Sequence, residues 1–242
     1  MDISISRSSA LGNRLLAALP NADFQRIAPD LIEVSLSLGQ ILHEPQEKIE
    51  TVYFPTEAMI SLVSVMEDGS TVEVGMVGND GMLGYPVYLG GVQSHTRAIV
   101  QSQGKALQMN AILLKNEFDQ GGFFQRLLLL YTQVFLAQVT QTAACNRFHP
   151  TEERLARWLL QSQDFTGSEQ LHLTQDFLSS MLGVRRASVT VAAGTLQQAG
   201  MIEYNRGKIT ILDRTALEGA TCECYEIVRR EYNRLFNFVE SL

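Results

Sequence analysis

Leu173-Thr-Gln-Asp-Phe-Leu-Ser-Ser-Met-Leu-Gly-Val-Arg-Arg-Ala-Ser-Val-Thr-Val-Ala-Ala-Gly-Thr-Leu196 reads as a helix, a tight turn at Gly183 and a second helix. Thr174 stands where an N-cap belongs, and Asp176 follows in the first turn, where its charge complements the helix dipole. Leu178, Met181 and Leu182 make the inward face of the first helix, and Gly183 supplies the positive φ that a sharp inter-helix turn needs. In the second helix Val189, Ala192, Ala193 and Leu196 recur at helical spacing as one apolar stripe. Arg186, Ala187, Thr190 and Val191 fall on the opposite side, with Arg185 and Ser188 near the N-terminal end. A helix that enters a DNA major groove presents such a surface.

Downstream, Met201-Ile-Glu-Tyr-Asn-Arg-Gly-Lys-Ile-Thr-Ile-Leu212 alternates on both sides of Asn205-Arg206-Gly207, which predicts a β-hairpin with Arg206 and Lys208 at its tip. Helix, turn, helix and basic hairpin together make a winged helix-turn-helix. Arg206 and Lys208 are placed to hold phosphates, while Thr174 and the helix amides beside it offer a further phosphate contact. Arg186 suits the O6 and N7 atoms of guanine; Ser188 and Thr190 add short polar contacts, and Ala187 and Val191 suit thymine methyl groups.

The chain has 242 residues, 45% of them hydrophobic, with only 6 prolines, enough for two modest cores. No apolar run approaches the ~20 residues of a membrane span, and the N-terminus lacks the order of a signal peptide, so a cytoplasmic protein without a membrane partner is expected. Cys145, Cys222 and Cys224 are irregularly spaced and are expected to be reduced. On a C-terminal helix, Cys222 and Cys224 alone do not complete a zinc site, so neither a metal nor a cofactor is expected. The formal net charge is −7. Acidic residues dominate before Arg147, whereas beyond it the two signs nearly balance and Arg185, Arg186, Arg206 and Lys208 gather at the proposed reading surface. His43, His95, His149 and His172 are scattered without a nucleophile elbow or paired ligand spacing, so no catalytic residue is assigned and an enzyme is not expected.

Between roughly residues 30 and 110, short alternating runs separated by turn residues predict strands at Ile32–Leu36, Thr51–Phe54, Met59–Val65, Thr71–Val77, His95–Val100 and Gly104–Met109. Strands in this number favour a β-roll. Short helices are expected at Leu11–Leu19 and Asp23–Ile27. From Phe123 to about Asn146 the pattern gives one long helix, apolar nearly all round. Phe124, Leu128, Tyr131, Phe135, Gln138 and Thr142 repeat at four-three spacing and are expected to form a coiled-coil seam with a second copy, leaving Leu127, Leu130, Val134 and Ala137 to cover the β-roll. A new helix starts after Pro150, and an extra amphipathic helix, Leu217 to about Val239, is expected to cap the C-terminal domain. Nothing in its spacing demands RNA polymerase as a partner, though it offers a surface for one.

Asn13-Arg-Leu-Leu-Ala-Ala-Leu-Pro20, Leu42-His-Glu-Pro45, Val52-Tyr-Phe-Pro55, Asp68-Gly69 and Val72-Glu-Val-Gly75, followed by the winged helix, resemble the bacterial Crp/Fnr transcription regulators from about Asn13 to Leu212. The resemblance implies an α+β protein: a cyclic-nucleotide-binding-like, jelly-roll-like β-roll over residues 1–120, a dimerisation helix and hinge over 121–149, and a DNA-binding domain over 150–242. It implies a homodimer on a pseudo-palindromic duplex operator.

In nucleotide-binding members of the family a Gly-Glu pair and an Arg-x-Ala arrangement hold the ribose and cyclic phosphate. Here the matching residues are Gly84-Tyr85 and Thr96-Arg97-Ala98, with neither anchor in place. Each charge-assisted bond is worth about 1.5–3 kcal/mol, so no physiological binding of cyclic AMP is expected. The alternatives are a regulator that still takes a cyclic nucleotide or another small effector, and a cyclic-nucleotide-binding-like module that regulates another protein. An Fnr-type cluster is excluded by the absence of cysteine before Cys145, and haem would require an axial ligand such as His43 or His95.

Overall fold

A computed structural model describes residues 10–240. Two short helices, α1 (Arg14–Ala17) and α2 (Asn21–Ile27), lead to a 3₁₀ turn at Ala28–Asp30. The helix expected at Leu11–Leu19 is shorter because Asn13 interrupts it. Its Oδ1 accepts from the amides of Leu15 and Leu16 as an N-cap, while its Nδ2 donates to the carbonyls of Pro55 and Gly81 at 2.8 and 2.9 Å. One buried side chain thus fixes α1 onto the β-structure.

Seven strands follow: β1 (Ile32–Leu36), β2 (Ile41–His43), β3 (Thr51–Pro55), β4 (Met59–Val65), β5 (Thr71–Val77), β6 (Arg97–Ser102) and β7 (Gly104–Asn110). They pair antiparallel in two sheets, β1-β7-β3 and β2-β6-β4-β5, whose inward residues, among them Val52, Phe54, Ile60, Leu62, Val100 and Leu107, share one core. β6 begins two residues later than its alternation suggests. β2 is a three-residue edge strand too short to show a period.

Helix α3 (Ala111–Asp119) leads into α4 (Gly122–Phe148), which lies along the β-roll. Glycines let it come close: a Cβ on Gly75 would stand 2.9 Å from the Phe135 ring, and one on Gly81 would stand 2.6 Å from the Tyr131 hydroxyl. Tyr131 donates to the Met82 carbonyl at 3.0 Å, and Gln138 Oε1 accepts from the Met76 amide at 2.8 Å. These contacts overturn the expected seam. Phe124, Leu128, Tyr131, Phe135, Gln138 and Thr142 are buried within the chain's own fold, so their four-three spacing marks the face on the β-roll and on the C-terminal helix Cys224–Glu240 rather than a face for a second copy. The outer side instead carries Leu129, Gln133, Leu136, Thr140 and Ala143, exposed and also at four-three spacing. By length and composition α4 is also apolar enough to cross a membrane, with a mean hydropathy of 1.2, which the run-length argument from sequence missed.

After Pro150 come α5 (Thr151–Thr166), β8 (Gln170–His172), α6 (Gln175–Leu182), α7 (Arg186–Gln198), β9 (Ile202–Asn205), β10 (Lys208–Ile211), α8 (Arg214–Gly219) and α9 (Cys224–Glu240). A third sheet, β8-β10-β9, backs the helices. The expected single C-terminal helix is divided, since α8 stops at Gly219 and Cys222 lies in the turn before α9. Nor does α9 only cap the C-terminal domain. Its Val228, Tyr232, Leu235 and Phe236 join the β-roll core; Phe236 lies under the Arg14 guanidinium at 3.8 Å, and Tyr232 accepts from Gln138 Nε2 at 3.3 Å.

The two halves are docked. Met59 and Met76 of the β-roll belong to the same core as Trp158, Leu159, Leu178 and Leu182. Glu73 on β5 is buried at this junction, where its carboxylate accepts from Trp158 Nε1 at 3.0 Å and from the Ser61 hydroxyl. Burial pushes its pKa up to about 7.

Candidate nucleic-acid interface

Thr174 caps α6, its hydroxyl accepting from the Phe177 amide at 3.1 Å, and Gly183 ends that helix in the left-handed region at φ +61°. A Cβ there would also stand 3.0 Å from Val72, so the turn lies against the β-roll. α7 buries Val189, Ala192, Ala193 and Leu196, the stripe expected from spacing, and these side chains share the core with α5 and α6. Arg185, Arg186, Ala187, Thr190 and Val191 are exposed, Val191 to 62%, and Ser188 is half-buried.

The hairpin turns on two residues rather than three: Asn205 pairs with Lys208, leaving Arg206 and Gly207 in the turn at φ +49° and +79°. Positive φ at both positions gives the primed turn that matches strand twist. Arg206 is exposed at the tip and Lys208 is half-buried on the strand behind it. The tip is anchored to α6, because the Leu173 amide donates to the Gly207 carbonyl at 2.7 Å and the Tyr204 hydroxyl donates to the Leu173 carbonyl at 3.0 Å. Thr174, Arg186, Tyr204 and Arg206 consequently line one open groove.

Two residues shape this groove beyond those expected to touch DNA. Arg186 Nε lies 3.3 Å from Gln175 Oε1 and 3.5 Å from Asp176 Oδ1, so the first turn of α6 holds the guanidinium over the helix start. Asp176 was visible in the sequence as a first-turn acid; Gln175 carried no such signal.

The residues matching the family's effector pocket are spent on contacts within the fold. Gly84, at φ +110°, sits against Val52, and the Tyr85 ring packs 5.3 Å from that of Phe135 on α4. Ala98 turns into the core while its neighbour Arg97 takes the other face and pairs with Glu44 at 2.8 Å. The Thr96 hydroxyl meets Ser94 at 2.9 Å. His43 is buried with Nδ1 unpartnered and its pKa lowered by burial, whereas His95 is exposed.

Cys222 and Cys224 do not stand alone. Cys145 and His149, from the far end of α4, come to within 4.8 Å of both.

Residues 153–220 match the Crp-like helix-turn-helix domain family. A search of curated proteins finds no match. Among solved structures, FixK2 from Bradyrhizobium japonicum superposes with a TM-score of 0.66 at 16% identity, covering 79% of this chain and 98% of that one. A CRP-family transcriptional regulator from Thermus thermophilus gives 0.64 at 17% identity, covering 79% and 99%. CLP from Xanthomonas campestris, described as a c-di-GMP responsive global regulator, gives 0.62 at 14%, covering 79% and 99%. Residues 153–220 thus form a Crp-like helix-turn-helix domain, and the chain as a whole shares the fold of these solved structures, a β-roll carried on a winged helix-turn-helix domain.

Proposed function

We propose that the chain is a cytoplasmic, homodimeric transcription regulator that reads a pseudo-palindromic duplex operator without cyclic AMP. The observation that carries this reading is the continuous surface formed by the exposed face of α7, the capped start of α6 and the wing tip. Arg186, Ala187, Ser188, Thr190 and Val191 face base edges, and Thr174, Arg185, Arg206 and Lys208 hold the flanking phosphates. The 1–120 segment serves as sensor, 121–149 as dimer helix and hinge, and 150–242 as DNA-binding domain, with RNA polymerase as a partner at promoters. Dimerisation uses the outer stripe of α4, Leu129, Gln133, Leu136, Thr140 and Ala143, whose large apolar members are open to solvent in the single chain.

The pocket residues support independence from cyclic AMP. Tyr85 and Arg97 are engaged by Phe135 and Glu44, and no carboxylate stands where the ribose acceptor belongs. CLP, which shares this fold, is c-di-GMP responsive, so the fold itself does not require cyclic AMP.

Selection of bound sequences from random duplex DNA, with and without cyclic AMP, tests the proposal. The expected outcome is the same pseudo-palindrome in both arms, with half-sites about 34–36 Å apart, one helical turn. Failure to enrich any sequence in either arm, or enrichment only with cyclic AMP, overturns it.

A further inference from the structure

Four soft donors converge where α4 ends and α9 begins. Cys145 sits on the last turns of α4, His149 just past its end, Cys222 in the turn before α9 and Cys224 at the first position of α9. Their ligand atoms all lie within 4.8 Å of one another, and all three cysteines are buried. Cys145 Sγ and Cys222 Sγ are 3.6 Å apart, and Cys224 Sγ is 3.5 Å from His149 Nδ1. A tetrahedral zinc with bonds of about 2.3 Å to sulfur and about 2.0 Å to nitrogen sets sulfur–sulfur edges near ~3.8 Å and sulfur–nitrogen edges near ~3.5 Å. Both distances fit those edges.

The surroundings are those of a metal centre. His149 Nε2 lies 3.2 Å from the Glu223 carboxylate, which fixes the tautomer with Nδ1 bare and turned to the cysteines. Gln141 Nε2 donates to Cys224 Sγ at 3.1 Å. Zinc with three thiolates carries one net negative charge, and a buried charge needs compensation. Arg154 and Arg157 of α5 are both buried, both act electrostatically on Cys145 or on its neighbours, and each keeps an Nε without a hydrogen-bond partner. A Cys145–Cys222 disulfide would leave Cys224, His149 and Glu223 arranged around nothing. An iron–sulfur cluster, which spreads its cysteines over separate irons, needs a wider spread of donors.

We propose that Cys145, His149, Cys222 and Cys224 bind a single zinc ion as a closed Cys₃His site that staples the hinge end of α4 to the start of α9. The matched helix-turn-helix domain, 153–220, lies wholly between Cys145 and Cys222. The ion therefore ties the two ends of the DNA-binding domain together and fixes them to the dimer helix. Binding displaces the thiol protons, and no electron is transferred.

The test uses the reduced full-length chain. Elemental analysis is expected to give one zinc per chain, and cobalt replacing it is expected to show the intense visible bands of a tetrahedral ion together with thiolate-to-cobalt charge transfer. Cys145→Ser and Cys224→Ser should abolish both. Since those variants can fail to fold, Glu223→Gln is measured beside them: it keeps every ligand and should weaken metal affinity about 10–100-fold. A chelator should lower the melting temperature of the wild-type chain. Three results would each overturn the site: a folded, reduced wild-type chain that takes up no cobalt, uptake unchanged in both Cys145→Ser and Glu223→Gln, or a Cys145–Cys222 disulfide in freshly isolated protein.

Discussion

Arg186 and Arg206 are both exposed beside Thr174, yet one is fixed to a helix and the other rides on a turn. Arg186 starts α7, and its exposed guanidinium lies beside Gln175 and Asp176, so in the proposed complex its donors approach from the start of the reading helix. That placement is the one the proposed function gives to a base reader. Arg206 stands at the tip of a two-residue turn with no side-chain hydrogen bond to set its direction among the described residues, which suits a phosphate. Arg186→Ala is therefore expected to cost about 1–3 kcal/mol on the selected operator and to relax preference at one base pair per half-site. Arg206→Ala is expected to weaken binding evenly on all sequences and to lower the salt slope by about 1 for each phosphate that it no longer neutralises. Equal weakening on every sequence for Arg186→Ala, measured by competition with single-base operator variants, would remove it from the base-reading set.

At the scale of elements, α4 has two apolar faces with different duties. Phe135 is 3% exposed against Gly75 and Tyr85, whereas Leu136, one residue on, is 58% exposed. Phe135→Ala should cost about 3–5 kcal/mol of stability in each chain, through lost burial and the cavity left behind. Leu136→Glu should leave the melting of the single chain nearly unchanged while shifting sedimentation from dimer to monomer. A Leu136→Glu dimer as tight as wild type would move the interface elsewhere. Both faces repeat at four-three spacing, so periodicity alone could not tell seam from core in a helix apolar nearly all round. What separated them was the glycines of β5 and the turn after it, a tertiary fact. The strands at Ile32–Leu36, Met59–Val65 and Thr71–Val77 were legible to the residue because alternation and turn residues agree there. β2 and β8 were not, each having only three residues on an edge. The Cys₃His cluster was beyond reach for a different reason: Cys145 and Cys222 lie 77 positions apart, and only the packing of α9 on α4 joins them.

For the whole molecule, the junction between β-roll and DNA-binding domain turns on Glu73. Its neighbours are the Ser61 hydroxyl, Trp158 Nε1 and the field of Arg157, and burial outweighs all of them, holding its pKa near 7 against 4.5 for an ordinary Glu. The docked chain thus keeps a proton that the unfolded chain gives up between those two values. Stability from neutral Glu73 is complete below about pH 4.5 and is lost as pH rises through 7. Asp80, buried and likewise raised to about 7, adds in the same direction, so the useful quantity is the difference between wild type and Glu73→Gln. Gln stays neutral and can still accept from Trp158. The variant is expected to match wild type near pH 5 and to melt a few degrees higher at pH 7.5, since each kcal/mol is about 2–4 °C at this size. Trp158, the chain's single tryptophan, reports the junction directly through its emission. Melting curves that stay parallel for the two proteins across that range would mean Glu73 ionises without resistance, and that the docking of the two domains is insensitive to its charge.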